Sequence, residues 1–198
     1  MRRGIRPRPG ASGRAALLAL DLLTDFDFPD GPAVCRALSR RAAAILALCS
    51  VARAHRVPVI YANDNLGPWR SDAPGLITQC LRAGGPGADL VRRLRPTAAD
   101  EIILKPRHSA FYGTPLEALL DERRVGTLIV TGISAESCVW MTACDAHTRG
   151  FRLVIPADTM AGASTRALRA TLTGLKDVLS ARVPARAASL RFSAGRLR

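Results

Sequence analysis

The sequence predicts an α/β fold in which a mostly parallel sheet is covered by helices on both faces. Short apolar runs alternate with longer segments that have helical periodicity, and runs such as residues 16–20 and 127–131 are apolar on both sides of the strand. Strands of this kind are typical of parallel sheets buried between two layers of helices. The length of 198 residues fits one domain with a substantial core.

The first half of the chain supplies two predicted strands and one long helix. Residues 16–20 are apolar and end at Asp21, as expected of a central strand. Apolar residues at helical spacing predict a helix over residues 33–56, and a strand follows at residues 58–61. Residues 63–87 are rich in Gly, Pro, Asn and Asp, and we interpret them as a long connection of the kind that often covers a pocket.

The second half continues the same alternation. The predicted elements are a strand at 102–104, a helix at 115–124, a strand at 127–131, a helix at 136–149 closed by Gly150, a strand at 153–155 and a helix at 164–179. Ligands bind outside the carboxyl ends of the strands in such sheets. Reactive residues just after strands are therefore the first candidates for a functional site.

The formal net charge of +13 resides mainly at the two ends of the chain. Residues 1–14 and residues 182–198 each carry five arginines and no acidic residue, which leaves +3 for residues 15–181. We therefore interpret 15–181 as the folded domain and the ends as basic, disordered tails that bind polyanions weakly. No aromatic residues interleave these arginines to form a specific nucleic-acid platform.

Targeting signals and metal motifs are weak in this sequence. The apolar stretch after the basic start is too short for a secretion signal, and no run has the roughly 20 apolar residues of a membrane span. We therefore expect a cytoplasmic protein without membrane association. The five cysteines form no CxxC pair and the three histidines are widely spaced, so neither a disulfide framework nor a metal site is expected.

Three chemically complementary residues fall at the same predicted edge of the sheet. Asp21 follows the first strand, Lys105 follows the strand at 102–104, and Cys138 follows the strand at 127–131 at the start of a helix. A nearby cation and a helix N-terminus both stabilise a thiolate. Asp21 then serves as general base for Cys138, and the sequence predicts nucleophilic catalysis at a carbonyl group.

Each of these residues alone has a simpler interpretation. An Asp after a strand is often a helix cap, a lysine at a loop is usually solvated, and a free cysteine is usually a buried apolar residue. The chain, however, has 27 arginines and only two lysines, Lys105 and Lys176. A chance lysine at a strand end is therefore less expected, and the combination of three favours function.

Three segments resemble the isochorismatase-like cysteine hydrolases: AALLALDLLTDF (15–26), LKPRHSAFYGTPLEALL (104–120) and VTGISAESCVWMTACDAHTRGF (130–151). The resemblance implies a three-layer Rossmann-like fold with a sheet of about six strands. It also implies an Asp–Lys–Cys triad at Asp21, Lys105 and Cys138, a cis peptide at Ile133–Ser134, and backbone N–H groups of Ser134 and Cys138 as oxyanion donors. Members of this family are often homo-oligomers, so we expect one here.

The substrate implied by this resemblance is a small amide, ureide or carbamoyl compound whose C–N bond is cleaved through an acyl-enzyme on Cys138. The family's metal-dependent nicotinamidases carry histidines near the second strand, where residues 61–72 have none, so no metal or other cofactor is expected. Candidate substrate-binding residues are Asn63, Trp69, Tyr112 and Phe28. For His108, contact with substrate is one interpretation, and a structural hydrogen bond is the favoured one.

Other functions fit the sequence less well. A phosphatase of the haloacid-dehalogenase type needs a second Asp two residues after the first, where this chain has Leu23, and Gly84–Gly87 follows no strand as a dinucleotide-binding turn would. A hydrolase of the isochorismatase type acting on another small molecule remains an alternative. A non-catalytic or redox-sensing protein on the same fold is a further one.

Overall fold

The computed structural model describes residues 13–67 and 72–198, and the predicted tail at residues 1–14 therefore lies largely outside the described residues. Within these ranges the chain forms seven strands of one sheet and seven α-helices. The strands are β1 (Arg14–Leu20), β2 (Val59–Asp64), β3 (Glu101–Lys105), β4 (Val125–Gly132), β5 (Arg152–Val154), β6 (Phe192–Ser193) and β7 (Arg196–Leu197). The helices are α1 (Gly31–Ser39), α2 (Ala42–Ala54), α3 (Ala73–Arg82), α4 (Gly85–Leu94), α5 (Leu116–Glu122), α6 (Trp140–Thr148) and α7 (Thr165–Asp177).

Five parallel strands form the body of the sheet in the order β3-β2-β1-β4-β5. The chain builds outward from β1 through β2 to β3 and then returns to the other side of β1 with β4. The order therefore reverses next to β1, and such a reversal opens a crevice at the carboxyl ends of the strands. The prediction of an α/β fold with a mostly parallel sheet is confirmed.

The alternating residues of β1 lie in two separate cores. Ala15, Leu17 and Ala19 pack with α1, α2 and α4 on one face, whereas Ala16, Leu18 and Leu20 pack with α5, α6 and α7 on the other. All six side chains are fully buried. Burial of each leucine stabilises the fold by about 1.5–3 kcal/mol, so the apolar composition of this strand fixes the three layers.

Two helical predictions differ from the structure. The helix predicted over residues 33–56 is divided into α1 and α2, which are separated at Arg40 and Arg41. The connection predicted over residues 63–87 contains all of α3 and the start of α4. Proline lies in the first turn of both helices, where its missing N–H costs nothing, and the Asp72 carboxylate caps α3 by accepting from the Gly75 N–H at 2.6 Å.

The C-terminal segment, expected to be a disordered tail from residue 182 onward, packs on the domain instead. Strand β7 pairs antiparallel with β1 through Arg196 and Arg14, so Arg14 also belongs to the sheet and not to a tail. Ala187 and Leu190 are buried in the core beside α2. Burial of these few apolar residues anchors the segment, while its arginines point outward and are exposed. No helix of the described ranges is long and apolar enough to cross a membrane.

Candidate active site

The carboxyl ends of three strands bring Asp21, Lys105 and Cys138 together. Asp21 directly follows β1 with a positive φ of 49°, and Lys105 is the last residue of β3, beside Asp64 of β2. Strand β4 ends at Gly132 and leads into a π-helical turn over Ala135–Val139 that contains Cys138 and continues as α6. All three residues thus lie at the edge where the strand order reverses.

The three side chains form a continuous chain of polar contacts. The Nζ atom of Lys105 lies 3.0 Å from Oδ2 of Asp21 and 3.5 Å from Sγ of Cys138. The other carboxylate oxygen of Asp21, Oδ1, accepts a hydrogen bond of 2.8 Å from the Asp64 N–H. Oδ2 makes no aligned hydrogen bond within the described part of the chain, so its attraction to Lys105 is mainly that of an ion pair. A lone pair on Oδ2 is therefore free to accept a proton.

The Lys105 side chain has no solvent exposure, and its charge is nevertheless retained. Burial lowers the pKa of Lys105, but the charge of Asp21, its close polar contact with the ammonium and a smaller contribution from Asp64 outweigh burial and raise the pKa above its usual value. An ammonium held in this way contributes a fixed positive charge beside the sulfur.

Burial and two opposite charges set the pKa of Cys138. Lys105 lowers this pKa as expected, but burial and the negative charge of Asp21 outweigh it and raise the pKa of Cys138 to about 12. In the free protein, Cys138 is therefore a thiol and not a preformed thiolate. Its proton has to leave as the sulfur attacks, which requires a base in contact.

His108, in the loop after β3, also contacts Cys138. Its Nδ1 atom lies 3.6 Å from Sγ of Cys138 and 3.2 Å from Oγ of Ser137, and the His108 side chain is exposed. From the sequence, a structural hydrogen bond was the favoured role of this histidine. Its position three residues after Lys105, in the loop that follows the same strand, was the signal that could have placed it at the site.

The loop that carries His108 is anchored to α6 on its protein side. The Ser109 hydroxyl donates to Oδ2 of Asp145, and the Ala110 N–H donates to Oγ1 of Thr142 at 3.0 Å. Burial raises the pKa of Asp145, but hydrogen bonds from Ser109 and Arg149 outweigh it and lower this pKa below its usual value. The anchoring carboxylate is therefore charged at neutral pH.

The backbone before Cys138 has one feature that the family resemblance implies, a cis peptide bond. The Ile133–Ser134 peptide bond is cis. Gly132, immediately before it, has a φ of 121°, and a Cβ atom there would lie 2.0 Å from the Leu20 carbonyl oxygen. A close approach of β1 and β4 at this point thus requires glycine. The role of the Ser134 and Cys138 N–H groups as oxyanion donors stays a prediction.

The predicted substrate-binding residues lie in different environments. Asn63 is fully buried, and its Nδ2 donates to the Leu23 carbonyl at 3.0 Å, so it braces the segment after Asp21 and offers no open surface to a ligand. Phe28 is 37% exposed beside Phe26, and Tyr112 is 62% exposed in the loop after His108. Trp69 lies outside the described residues.

No metal cluster is formed by the part of the chain that the structure describes. Residues 13–67 and 72–198 contain no group of three or more His, Cys, Asp or Glu side chains placed to hold a metal ion. The remaining cysteines are free, and Cys35, Cys49 and Cys80 are buried. What the site does present is one sulfur atom with a carboxylate, a buried ammonium and an imidazole close by.

Comparison with known proteins relates this arrangement to one family. The isochorismatase domain model matches residues 15–184. The uncharacterized isochorismatase family protein YaaI of Bacillus subtilis (strain 168) is 35% identical over 168 residues, which cover 85% of this chain and 92% of that protein. The N-carbamoylsarcosine amidase of an Arthrobacter species is 34% identical over 170 residues, which cover 80% of this chain and 63% of the amidase.

Solved structures give the same relationship. A pyrazinamidase/nicotinamidase from Streptococcus mutans UA159 superposes with a TM-score of 0.67 at 25% identity, covering 85% of this chain and 99% of that chain. An isochorismatase family protein from Desulfovibrio vulgaris superposes with a TM-score of 0.70 at 26% identity, covering 87% and 95% of the two chains. The named relatives with an assigned activity are hydrolases that act on amides.

Proposed function

The chain belongs to the isochorismatase family of hydrolases, and we propose that it is a cysteine hydrolase that cleaves a C–N bond of a small amide, ureide or carbamoyl compound. The observation that supports this most strongly is the Cys138 sulfur held 3.5 Å from the buried ammonium of Lys105, which itself lies 3.0 Å from Asp21. Nucleophile, cation and base are the parts that acyl transfer through a covalent intermediate requires.

In the first half of the reaction, Cys138 attacks the carbonyl carbon of the substrate. The thiol proton passes to Oδ2 of Asp21 as the C–S bond forms, and the positive charge of Lys105 stabilises the sulfur during transfer. Backbone N–H groups of Ser134 and Cys138 would donate to the oxyanion. Asp21 then returns the proton to the leaving nitrogen as the C–N bond breaks, which leaves a thioester on Cys138 and a carboxylate on Asp21.

The raised pKa of Cys138 supports this order of events. A thiol that is protonated in the free protein gains nucleophilicity only when Asp21 removes its proton during attack, so proton transfer and C–S bond formation are coupled. The same property argues against the redox-sensing alternative, because oxidation by peroxides favours low-pKa thiolates.

The substrate class rests on chemistry around the site and on the named relatives. Residues 61–72 contain no histidine to hold a metal beside a ring, which favours a substrate bound by protein groups alone. The similarity to an N-carbamoylsarcosine amidase supports a carbamoyl or ureide group at the scissile carbonyl. The alternative is a hydrolase of the isochorismatase type that acts on another small molecule and does not use Cys138 as a nucleophile.

The location, the oligomeric state and the partners expected from the sequence and the family resemblance are also proposals. We expect a cytoplasmic homo-oligomer that acts on small molecules and has no specific affinity for nucleic acid. Size-exclusion chromatography with light scattering tests the oligomeric state. A monomer at micromolar concentration would contradict it.

The proposed activity is tested by ammonia release from a panel of small amides, ureides and carbamoyl compounds. We expect release by the wild type that is abolished in Cys138→Ala and is unaffected by a chelator. Cys144→Ala is the matched control, because Cys144 is a free, partly exposed cysteine on α6 outside the triad. Equal release by Cys138→Ala and the wild type would contradict the cysteine mechanism.

A further inference from the structure

The exposed imidazole of His108 contacts the Cys138 sulfur. Its Nδ1 atom is 3.6 Å from Sγ, about the same separation as the 3.5 Å between Sγ and Lys105 Nζ on the buried side. The sulfur therefore contacts both a buried ammonium, which is paired with Asp21, and an exposed imidazole. Two groups that accept protons, the buried Asp21 and the exposed His108, thus lie near the reacting atom.

These two groups differ in how water can approach them. The side chain of Asp21 is largely buried, and its oxygens face the Asp64 N–H and the Lys105 ammonium. His108 is exposed and contacts the sulfur. Water from solvent therefore reaches His108 more readily than it reaches Asp21.

The imidazole is also held in place. Its hydrogen-bond partner Ser137 immediately precedes Cys138 in the π-helical turn, so Ser137 ties His108 Nδ1 to the nucleophile's own backbone segment. On the loop side, the contacts of Ser109 with Asp145 and of Ala110 with Thr142 fix the residues that follow His108. Together these contacts keep the imidazole beside the sulfur, where a base for the second half-reaction has to lie.

The charged groups around His108 are few. The π-helical turn presents the Ser137 hydroxyl and the Cys138 thiol, and beyond the sulfur lie Lys105 and Asp21 as a paired cation and anion. On its own loop, the neighbouring Arg107 is exposed and donates to the Pro106 carbonyl. Among the described residues, no carboxylate oxygen hydrogen-bonds the ring, whose side-chain partners are Ser137 and Cys138.

We propose that His108 is a catalytic residue of the second half-reaction and acts as the general base that activates water for hydrolysis of the acyl-enzyme. This inference rests on the proposed function, since it requires a thioester on Cys138. The attacking water replaces Ser137 Oγ as the partner of Nδ1, and Nδ1 accepts its proton while the water oxygen bonds to the thioester carbonyl carbon. The C–S bond then breaks, the acid product leaves, and the proton on the imidazolium passes to the Cys138 thiolate to restore the thiol.

The test uses p-nitrophenyl acetate as an acylating probe for the full-length protein. Its nitrophenolate burst reports formation of an acetyl thioester on Cys138, and the later steady rate reports its hydrolysis. In His108→Gln we expect a burst within about threefold of wild type and hydrolysis slowed roughly 100-fold, with acetylated Cys138 accumulating in intact and peptide mass spectra. His147→Gln, at the far end of α6, is the matched control and should resemble the wild type.

The pH profile separates a base from a structural residue. Hydrolysis of the wild-type acyl-enzyme should slow as the pH falls from about 8 to about 5, the range in which histidine side chains take up a proton. His108→Gln should lose this dependence on pH. Equal slowing of burst and hydrolysis with an unchanged profile would overturn the inference, as would hydrolysis at the wild-type rate. Absence of any acylation of Cys138 in the wild type would overturn the proposed function and the inference together.

Discussion

The Lys105 ammonium lies 3.0 Å from the Asp21 carboxylate at a site where the lysine has no solvent exposure. The two charges stabilise each other in a place where either alone would be costly. A buried pair is destabilised strongly when one partner is removed, because the other charge remains uncompensated. This pair therefore serves both the fold and the proposed chemistry.

Replacement of Lys105 by methionine tests both roles. We expect a loss of about 3–5 kcal/mol in the free energy of unfolding and at least a roughly 100-fold loss of amide hydrolysis, because the sulfur loses its neighbouring cation. Chemical denaturation and ammonia release measure the two effects. Lys176→Met is the matched control, since Lys176 is the other lysine of the chain and is exposed on α7. A Lys105→Met variant with wild-type activity would refute the role of the ammonium.

Gly132 is expected to tolerate no side chain. An added Cβ would lie 2.0 Å from the Leu20 carbonyl oxygen, which also accepts the Ile133 N–H at 3.1 Å. Gly132→Ala should therefore separate the ends of β1 and β4, lower the free energy of unfolding by at least about 3 kcal/mol and abolish activity. Thermal unfolding measures the first effect.

Gly84→Ala is the matched control for this substitution. Gly84 also has a positive φ, of 72°, but a Cβ atom there would have nothing within 4 Å. We expect only the backbone cost of roughly 1–2 kcal/mol. Similar losses at both positions would show that the contact with Leu20 is unimportant.

Leu190 tests whether residues 182–198 belong to the folded domain. It is 4% exposed and packs in the core beside α2, so Leu190→Ala should cost about 2–4 kcal/mol of unfolding free energy. Val178→Ala removes apolar atoms from a residue that is 59% exposed and should be nearly neutral. Equal stability of the two variants in chemical denaturation would support a detachable tail instead.

Local sequence patterns did not predict that residues 182–198 pack on the domain. The arginines of this segment dominate its composition, whereas its attachment depends on Ala187, Leu190 and one pairing of β7 with a strand about 180 residues earlier in the chain. Helices α3 and α4 were not predicted for a related reason, because the proline and glycine of their first turns are also typical of loops. The central strands were predictable because burial on both faces leaves a continuous apolar run.

The candidate site likewise has a part that the sequence predicts and a part that it does not. The rule that ligands bind after strand ends placed Asp21, Lys105 and Cys138 at one edge, because their sequence positions alone determine which strand each follows. The contact of His108 with the sulfur depends on the path of a loop, and the protonation state of Cys138 depends on burial and on Asp21 lying close by. Neither quantity is contained in a local pattern.

The last prediction concerns the effect of Asp21 on that protonation state. Burial and the Asp21 charge raise the pKa of Cys138 to about 12, and Lys105 lowers it. In Asp21→Asn the negative charge is removed while Lys105 remains, so the pKa of Cys138 should fall. At a fixed pH near 8 the thiolate fraction then rises, and alkylation of Cys138 by iodoacetamide should become roughly tenfold faster for each unit by which the pKa falls.

The same variant should lose amide hydrolysis by at least about 100-fold, because no base remains to transfer the proton to the leaving nitrogen. Faster alkylation together with lost catalysis distinguishes a general base from a residue that only supports the fold, since a merely damaged site would not favour the thiolate selectively. Asp27→Asn, in an exposed position of the same loop, is the matched control and should change neither rate. Alkylation at the Cys138 peptide, followed by mass spectrometry from about pH 6 to about pH 10, measures the shift. A slower reaction in Asp21→Asn than in the wild type would mean that Asp21 favours the thiolate, and the coupled proton transfer proposed here would be wrong.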